Sequence, residues 1–130
     1  MLKDQPKILL IDDDRFLLDM YSLKFKKSNL DIDVSSNSQV ALDKIKSDSG
    51  GYDIILLDII MPGMGGLDFL KIMREENLLP SATVIMLTNQ ADEFDRAKDL
   101  DVDGYIIKAT TIPSEVVEQV LSIYKNKHAK

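Results

Sequence analysis

Five short apolar runs, each followed by a segment with helical periodicity, constrain the fold of this chain more than any other feature. The runs are Ile8–Ile11, Ile32–Ser35, Ile54–Leu57, Val84–Leu87 and Tyr105–Ile107. Three of them are continuously apolar, which is typical of parallel strands that are covered on both faces of a sheet. Strands that alternate with helices at this spacing predict right-handed crossovers and a doubly wound α/β fold of five β-α units.

The helical segments are recognised by apolar residues three or four positions apart. In chain order, the predicted apolar faces are Phe16/Leu17/Met20/Leu23, Ala41/Leu42/Ile45, Leu67/Leu70/Met73, Phe94/Ala97 and Val116/Val117/Val120/Leu121/Tyr124. The second helix has a candidate N-cap at Asn37 or Ser38. The fourth, over about residues 91–100, has the weakest pattern, and the fifth begins near Pro113, a residue that suits the first turn of a helix.

Length and composition exclude several classes of protein. A chain of 130 residues suits one domain, which we expect to span residues 1–130 with a core over about 7–124. Sixteen basic and 22 acidic residues give a net charge of −6, so no general attraction to nucleic acid is expected. The apolar runs are too short to cross a membrane, so no insertion is expected. The chain has no cysteine, which is compatible with the cytoplasmic location that we expect.

Polar side chains follow four of the five runs. They are Asp12, Asp13 and Asp14 after the first run, Asp58 after the third, Thr88 after the fourth and Lys108 after the fifth. In open α/β sheets, ligands bind at the carboxyl ends of the strands. We therefore expect these side chains to meet at one edge of the sheet.

This set of side chains suits a phosphoryl group and a hard metal ion. Clustered carboxylates need a cation to stay ionised together, and Mg²⁺ prefers oxygen ligands. Lysine supplies positive charge to a phosphate, threonine donates a hydrogen bond, and aspartate is able to form an acyl phosphate. Each residue alone also has an ordinary structural interpretation: a helix cap for Asp12 to Asp14, a turn for Asp58, a strand-end hydroxyl for Thr88 and a solvated charge for Lys108.

Four stretches of the chain resemble the receiver domains of bacterial two-component response regulators. They are residues 8–13 (ILLIDD), 57–66 (LDIIMPGMGG), 84–88 (VIMLT) and 104–108 (GYIIK). The resemblance extends over about residues 7–124. It implies a flavodoxin-like fold with a parallel five-stranded sheet in the order 2-1-3-4-5.

The resemblance also implies a role for each matching residue. Asp58 is the expected phosphoacceptor. Asp13 is expected to bind Mg²⁺ directly and Asp12 mainly through water, while Asp58 and the backbone carbonyl of Ile60 complete the protein ligands. Lys108 is expected to contact the phosphoryl group and Thr88 to move toward it. Tyr105 is expected to change its rotamer as Thr88 moves, as in a switch between two packings of similar free energy.

The implied activity is regulatory instead of enzymatic in the usual sense. The phosphoryl group is expected to come from a histidine kinase or a phosphotransfer protein. The domain is expected to assist its own phosphorylation and dephosphorylation, and to contact a downstream protein through helix 4, strand 5 and helix 5. Ile60 cannot hydrogen-bond an attacking water, so we expect slow dephosphorylation. Gln90 is the alternative residue for orienting that water.

Three positions depart from the pattern of the resembling domains. Asn89 follows Thr88 where a small residue is usual, and this bulkier side chain is expected to restrict access to the site or to alter the movement of Thr88. Asp101 stands where a glycine commonly ends helix 4, so a less regular end is expected. Ala109 follows Lys108 where proline is usual. Because a cis bond costs about 2.5–4 kcal/mol before alanine, we predict a trans Lys108–Ala109 peptide.

Two alternative functions remain open on the sequence alone. Asp12-Asp13-Asp14 after an apolar strand also resembles the first motif of haloacid-dehalogenase-type phosphohydrolases, but that hypothesis leaves the stretch after Asp58 unexplained. The second alternative is an interaction domain that has the receiver fold but is not phosphorylated. Turnover of a free phosphomonoester would favour the first alternative over a domain that is labelled once at Asp58.

Overall fold

The strands follow the five apolar runs of the sequence. The computed structural model describes residues 4–47 and 51–128, so residues 1–3, 48–50 and 129–130 of the predicted domain lie outside the described residues. The strands are β1 (Lys7–Ile11), β2 (Asp31–Ser35), β3 (Ile54–Leu57), β4 (Thr83–Thr88) and β5 (Gly104–Ile107). They form one sheet in the order β2-β1-β3-β4-β5, and every neighbouring pair is parallel. The predicted fold class and strand order are confirmed.

A helix follows each strand. The helices are α1 (Arg15–Lys27), α2 (Ser38–Ser47), α3 (Gly66–Glu75), α4 (Phe94–Asp99) and α5 (Pro113–His128). Asn37 caps α2, because its side-chain oxygen accepts a hydrogen bond from the backbone of Val40 at 2.8 Å. A 3₁₀ turn over Ala91–Glu93 precedes α4, which makes the regular part of this helix shorter than the sequence pattern indicates. None of the helices in the described part of the chain combines the length and the apolar composition that a membrane crossing requires.

The sheet separates two hydrophobic clusters. One contains buried residues of α2, α3 and α4, and the other contains those of α1 and α5. Successive side chains of a strand point to opposite faces, so Leu9 belongs to the first cluster and Leu10 to the second. This burial on both faces explains why the central strands are continuously apolar.

The apolar face predicted for α1 is wrong in part. Phe16 is 75% exposed and Leu23 is 56% exposed, whereas the buried residues of the helix are Leu18, Tyr21 and Phe25. Both sets recur at helical spacing, so α1 carries two apolar stripes, and the stripe with two aromatic side chains buries the larger area against the sheet. Leu23 instead lines a groove together with Met20 and with Ile112, which lies just before α5.

The C-terminal end of α4 shows how an aspartate replaces the glycine that is usual there. Asp101 has a φ of 60°, in the left-handed region that aspartate tolerates better than most residues. Arg74 of α3 donates hydrogen bonds to the backbone carbonyls of Leu100 and Asp101, each at 3.0 Å. The guanidinium group thus binds two carbonyl oxygens at this turn and offsets part of the strain.

Candidate functional site

Asp12 and Asp58 are positioned by the hydrogen-bond ladders of the central strands. The backbone N–H of Asp12 donates to Ser35 at 3.1 Å, and that of Asp58 donates to Ile11 at 3.0 Å. Each bond continues a strand pairing by one residue beyond the end of the strand. The two carboxylates therefore leave neighbouring strands, β1 and β3, at the same edge of the sheet.

Three carboxylates meet at this edge, as the sequence predicts. Ligand oxygens of Asp12, Asp13 and Asp58 all lie within 4.8 Å of one another. Asp12 is 1% exposed and Asp58 is 8% exposed, whereas Asp13 faces solvent. Burial raises the pKa of Asp12 above its ordinary value, and hydrogen bonds from Lys108 and from the backbone of Asp14 offset only part of that rise.

Lys108 binds both buried carboxylates. Its ammonium group donates to Asp12, and also to Asp58 at a distance of 3.0 Å. Burial lowers the pKa of Lys108, but the hydrogen bonds to Asp12 and Asp58 raise it by more, so the pKa lies above its ordinary value. Lys108 therefore carries its positive charge at neutral pH.

The charges of these side chains fit a divalent metal ion. Counted in their charged forms, three carboxylates and one ammonium group give the four side chains a formal net charge of −2. Oxygen ligands at this spacing, with one carboxylate open to solvent, are the donors that Mg²⁺ takes in proteins while it retains several waters. The donor set is thus suited to Mg²⁺ in both charge and ligand chemistry.

Thr88 and Tyr105 contact the same residue of the loop after β4. Thr88 is fully buried, and its hydroxyl oxygen accepts a hydrogen bond from the backbone of Gln90 at 3.2 Å. The hydroxyl of Tyr105 donates to the carbonyl of Gln90, and the ring of Phe94 packs edge-on against the Tyr105 ring with 5.5 Å between centroids. The two residues predicted to act as a switch are therefore connected through Gln90.

The structure places the side chain of Asn89 and confirms the peptide bond predicted before Ala109. The side-chain oxygen of Asn89 accepts a hydrogen bond from the backbone of Ala109 at 2.8 Å. The side chain is thus bound to the loop after β5. The described residues contain no cis peptide bond, which confirms the predicted trans Lys108–Ala109 bond. The chain continues through a 3₁₀ turn over Lys108–Thr110.

Gly66 is a site residue whose importance is not apparent from the sequence. A Cβ atom at this position would lie 2.0 Å from the backbone oxygen of Asp58. The backbone N–H of Gly66 also donates to the carbonyl of Ile59 at 2.8 Å. The start of α3 therefore packs directly against the phosphoacceptor candidate. In the sequence, Gly66 is marked as the last residue of the stretch 57–66 that resembles receiver domains, and glycine permits close approach of two backbones.

Ile60 is placed two residues beyond Asp58, with a side chain that is 59% exposed. This side chain lies outside the buried core, on the loop that leads from β3 to α3. The side chain is therefore accessible to solvent two residues beyond the phosphoacceptor candidate.

Comparison with known proteins gives the same family throughout. Residues 8–120 match the response regulator receiver domain. The transcriptional regulatory protein CpxR of Escherichia coli K12 is 35% identical over 124 residues, which cover 94% of this chain and 50% of CpxR. The chain spans about half the length of the curated relatives it matches.

Two solved structures show the similarity of fold. The receiver domain of the Francisella response regulator 1452 has a TM-score of 0.81 and 29% identity, with 94% of this chain and 98% of that chain covered. The response regulator TrrA of Thermotoga maritima, in complex with Mg²⁺-BeF, has a TM-score of 0.78 and 28% identity, with 92% and 99% covered.

The family match also bears on the phosphohydrolase hypothesis that the sequence leaves open. It includes the stretch after Asp58, which the phosphohydrolase hypothesis leaves unexplained, and nothing in the comparisons supports that hypothesis. Receiver domains are signalling regulators and not enzymes in the usual sense. The strand order, the acidic edge of the sheet and the match over residues 8–120 together show that this chain belongs to the response regulator receiver domain family of two-component signalling.

Proposed function

We propose that Asp58 accepts a phosphoryl group from a histidine kinase or a phosphotransfer protein. The observation that carries this proposal is the 3.0 Å hydrogen bond between Lys108 and Asp58 beside the Asp12 and Asp13 carboxylates. An Asp58 oxygen attacks the phosphorus atom, the bond between phosphorus and the donor nitrogen breaks, and an acyl phosphate forms on Asp58.

The other residues of the site stabilise and sense the transferred group. The ammonium group of Lys108 neutralises charge on the phosphoryl oxygens, and the hydroxyl of Thr88 moves to donate a hydrogen bond to them. Because Thr88 and Tyr105 both contact Gln90, movement of Thr88 changes the environment of the Tyr105 ring. This is the switch that we propose.

Asp12, Asp13, Asp58 and the backbone carbonyl of Ile60 would hold Mg²⁺. When bound, the ion supplies positive charge next to the phosphoryl oxygens and thereby lowers the cost of the developing negative charge. The proposal is supported by the mutual spacing of the carboxylates, and the related TrrA structure is a complex with Mg²⁺-BeF.

Metal dependence gives the first prediction. Labelling of the protein by acetyl phosphate should fall to background in excess chelator, because two carboxylates beside the nucleophile repel an incoming phosphate without a cation. Asp13→Asn should slow labelling by roughly 10–100-fold or more, since even outer-shell changes at metal sites have effects of this size. Intact mass against time measures both. Asp19→Asn, at an exposed position of α1, should label at the wild-type rate, and undiminished labelling in chelator would contradict the metal site.

The lifetime of the phosphoryl group gives the second prediction. We propose that the domain assists its own slow dephosphorylation and that the exposed Ile60 side chain hinders approach of water without orienting it. Ile60→Asn should shorten the lifetime several-fold, because an amide is able to hydrogen-bond the water. Ile60→Leu, which has no such group, should leave it near the wild-type value. Decay of the purified phosphorylated protein measures the lifetime in both variants. Equal lifetimes for the asparagine variant and the wild type would show that the Ile60 side chain does not set the lifetime.

The output face is the surface formed by α4, β5 and α5, through which we propose that a downstream protein is contacted. Phe94 supports this assignment, because it is 46% exposed on α4 and packs against Tyr105 of β5. A change at Tyr105 would therefore reach the surface directly.

We also propose that residues 1–130 form a single receiver domain with its core over about 7–124. We expect this domain to be located in the cytoplasm, without membrane insertion and without direct binding of nucleic acid.

A further inference from the structure

One side chain joins the two loops that carry Thr88 and Lys108. Asn89 follows Thr88 at the end of β4, and Ala109 follows Lys108 at the end of β5. The side-chain oxygen of Asn89 accepts a hydrogen bond from the backbone N–H of Ala109 at 2.8 Å, across a separation of 20 positions in the chain. This bond continues the connection between β4 and β5 beyond the last strand pair, Thr88 with Ile107.

The bond requires a particular residue type at each end. Position 109 must provide a backbone N–H, which proline lacks and alanine has. Position 89 must provide a side-chain acceptor of the right length, which asparagine has and alanine lacks. Two positions at which this chain departs from the resembling domains, Asn89 and Ala109, are therefore explained together by a single hydrogen bond.

Each end of the bond is the chain neighbour of a residue that carries a reacting group. On one side, the loop after β4 is held by Gln90, whose backbone binds both Thr88 and Tyr105. On the other side, Ala109 lies inside the 3₁₀ turn that begins at Lys108. The bond between Asn89 and Ala109 therefore connects the loop after β4 directly to the turn that contains Lys108.

We propose that Asn89 is a positioning residue that couples the hydroxyl of Thr88 to the ammonium group of Lys108. Through the bond to Ala109, the two groups approach the phosphoryl group together. The proposal rests on the phosphorylation of Asp58 proposed above. Asn89 and Ala109 are both exposed, so the bond contributes little to the free energy of unfolding, and its effect is expected in the rates.

Four variants test the coupling: Asn89→Ala, Ala109→Pro, the two together, and Ala109→Ser. Asn89→Ala and Ala109→Pro should each slow labelling by acetyl phosphate about threefold to tenfold, because Thr88 and Lys108 are then less well positioned around the phosphoryl group. The double variant should be no slower than the slower single variant, because both changes remove the same bond. Ala109→Ser retains the N–H and should label at the wild-type rate.

The concentration dependence of labelling separates positioning from a general structural effect. In Asn89→Ala, the labelling rate at saturating acetyl phosphate should fall while the half-saturating concentration stays the same, and the urea midpoint should not change. The exchange rate of the Ala109 amide proton, measured by NMR, should rise in Asn89→Ala even without phosphorylation. This second measurement tests the bond independently of the chemistry at Asp58.

Each outcome has a distinct meaning. Unchanged labelling by Asn89→Ala, or effects that multiply in the double variant, would overturn the coupling while leaving the phosphorylation of Asp58 intact. Unchanged exchange of the Ala109 amide would overturn the bond itself. A wild-type protein that takes no label at all would overturn the phosphorylation proposal, and the coupling with it.

Discussion

Asp58→Asn should abolish labelling by acetyl phosphate, the largest effect that we expect of any substitution at the site. The amide is close to the carboxylate in size, and its oxygen is still able to accept the hydrogen bond from the backbone of Ile59, which is 2.7 Å long in the wild type. It is not a nucleophile toward phosphorus, so the fold should remain while the reaction stops. Intact mass after incubation with Mg²⁺ and acetyl phosphate measures the result.

A matched control separates the loss of the nucleophile from the loss of a negative charge. Asp68→Asn, at an exposed position in the first turn of α3, removes one carboxylate outside the site and should label like the wild type. Equal labelling of Asp58→Asn and the wild type would refute the assignment of Asp58. A wild-type protein that stays unlabelled would favour the alternative of an interaction domain with the same fold.

Gly66→Ala should be among the most destabilising single substitutions near the site. The added Cβ would lie 2.0 Å from the backbone oxygen of Asp58, so the start of α3 or the end of β3 must move. Overpacking costs about 1–3 kcal/mol and occasionally more, and a clash with backbone belongs at the upper end of that range. The better helix propensity of alanine stabilises the fold by at most about 1 kcal/mol, so the clash dominates and the free energy of unfolding should fall.

Urea denaturation measures the loss of stability, and the rate of labelling reports on the displacement of Asp58. A comparison with Gly63→Asn shows whether close approach is the cause. Gly63 has a φ of 76°, but a Cβ there would meet nothing within 4 Å. Asparagine tolerates the left-handed region, so Gly63→Asn should cost clearly less than Gly66→Ala. A wild-type urea midpoint for Gly66→Ala would show that the two backbones separate at little cost.

The strands were predictable because burial on both faces leaves a signal within each run of residues. The buried face of a helix was harder to predict than a strand, as α1 shows. Leu17 and Met20 are partly buried and lie between the two stripes of that helix, so spacing alone does not decide whether Phe16 and Leu23 or Tyr21 and Phe25 face the sheet. That choice depends on which residues of β1 and α5 come opposite, which is information outside the helix.

The same distinction applies to the site. Asp12, Asp58 and Lys108 stand directly at strand ends, and parallel pairing places strand ends together, so their proximity followed from position alone. The contacts of Asn89 and Gly66 depend on the path of a second loop or on the approach of two backbones. Neither contact is encoded in a local pattern, because both form only when separate parts of the chain come together in the folded domain.

The division of the core by the sheet has a consequence for how such a domain diverges in evolution. Residues under α1 and α5 share no packing space with those under α2, α3 and α4, so a change of volume on one face requires compensation only on that face. Each half is therefore able to accumulate substitutions at its own pace while the strand backbone keeps the acidic edge in place.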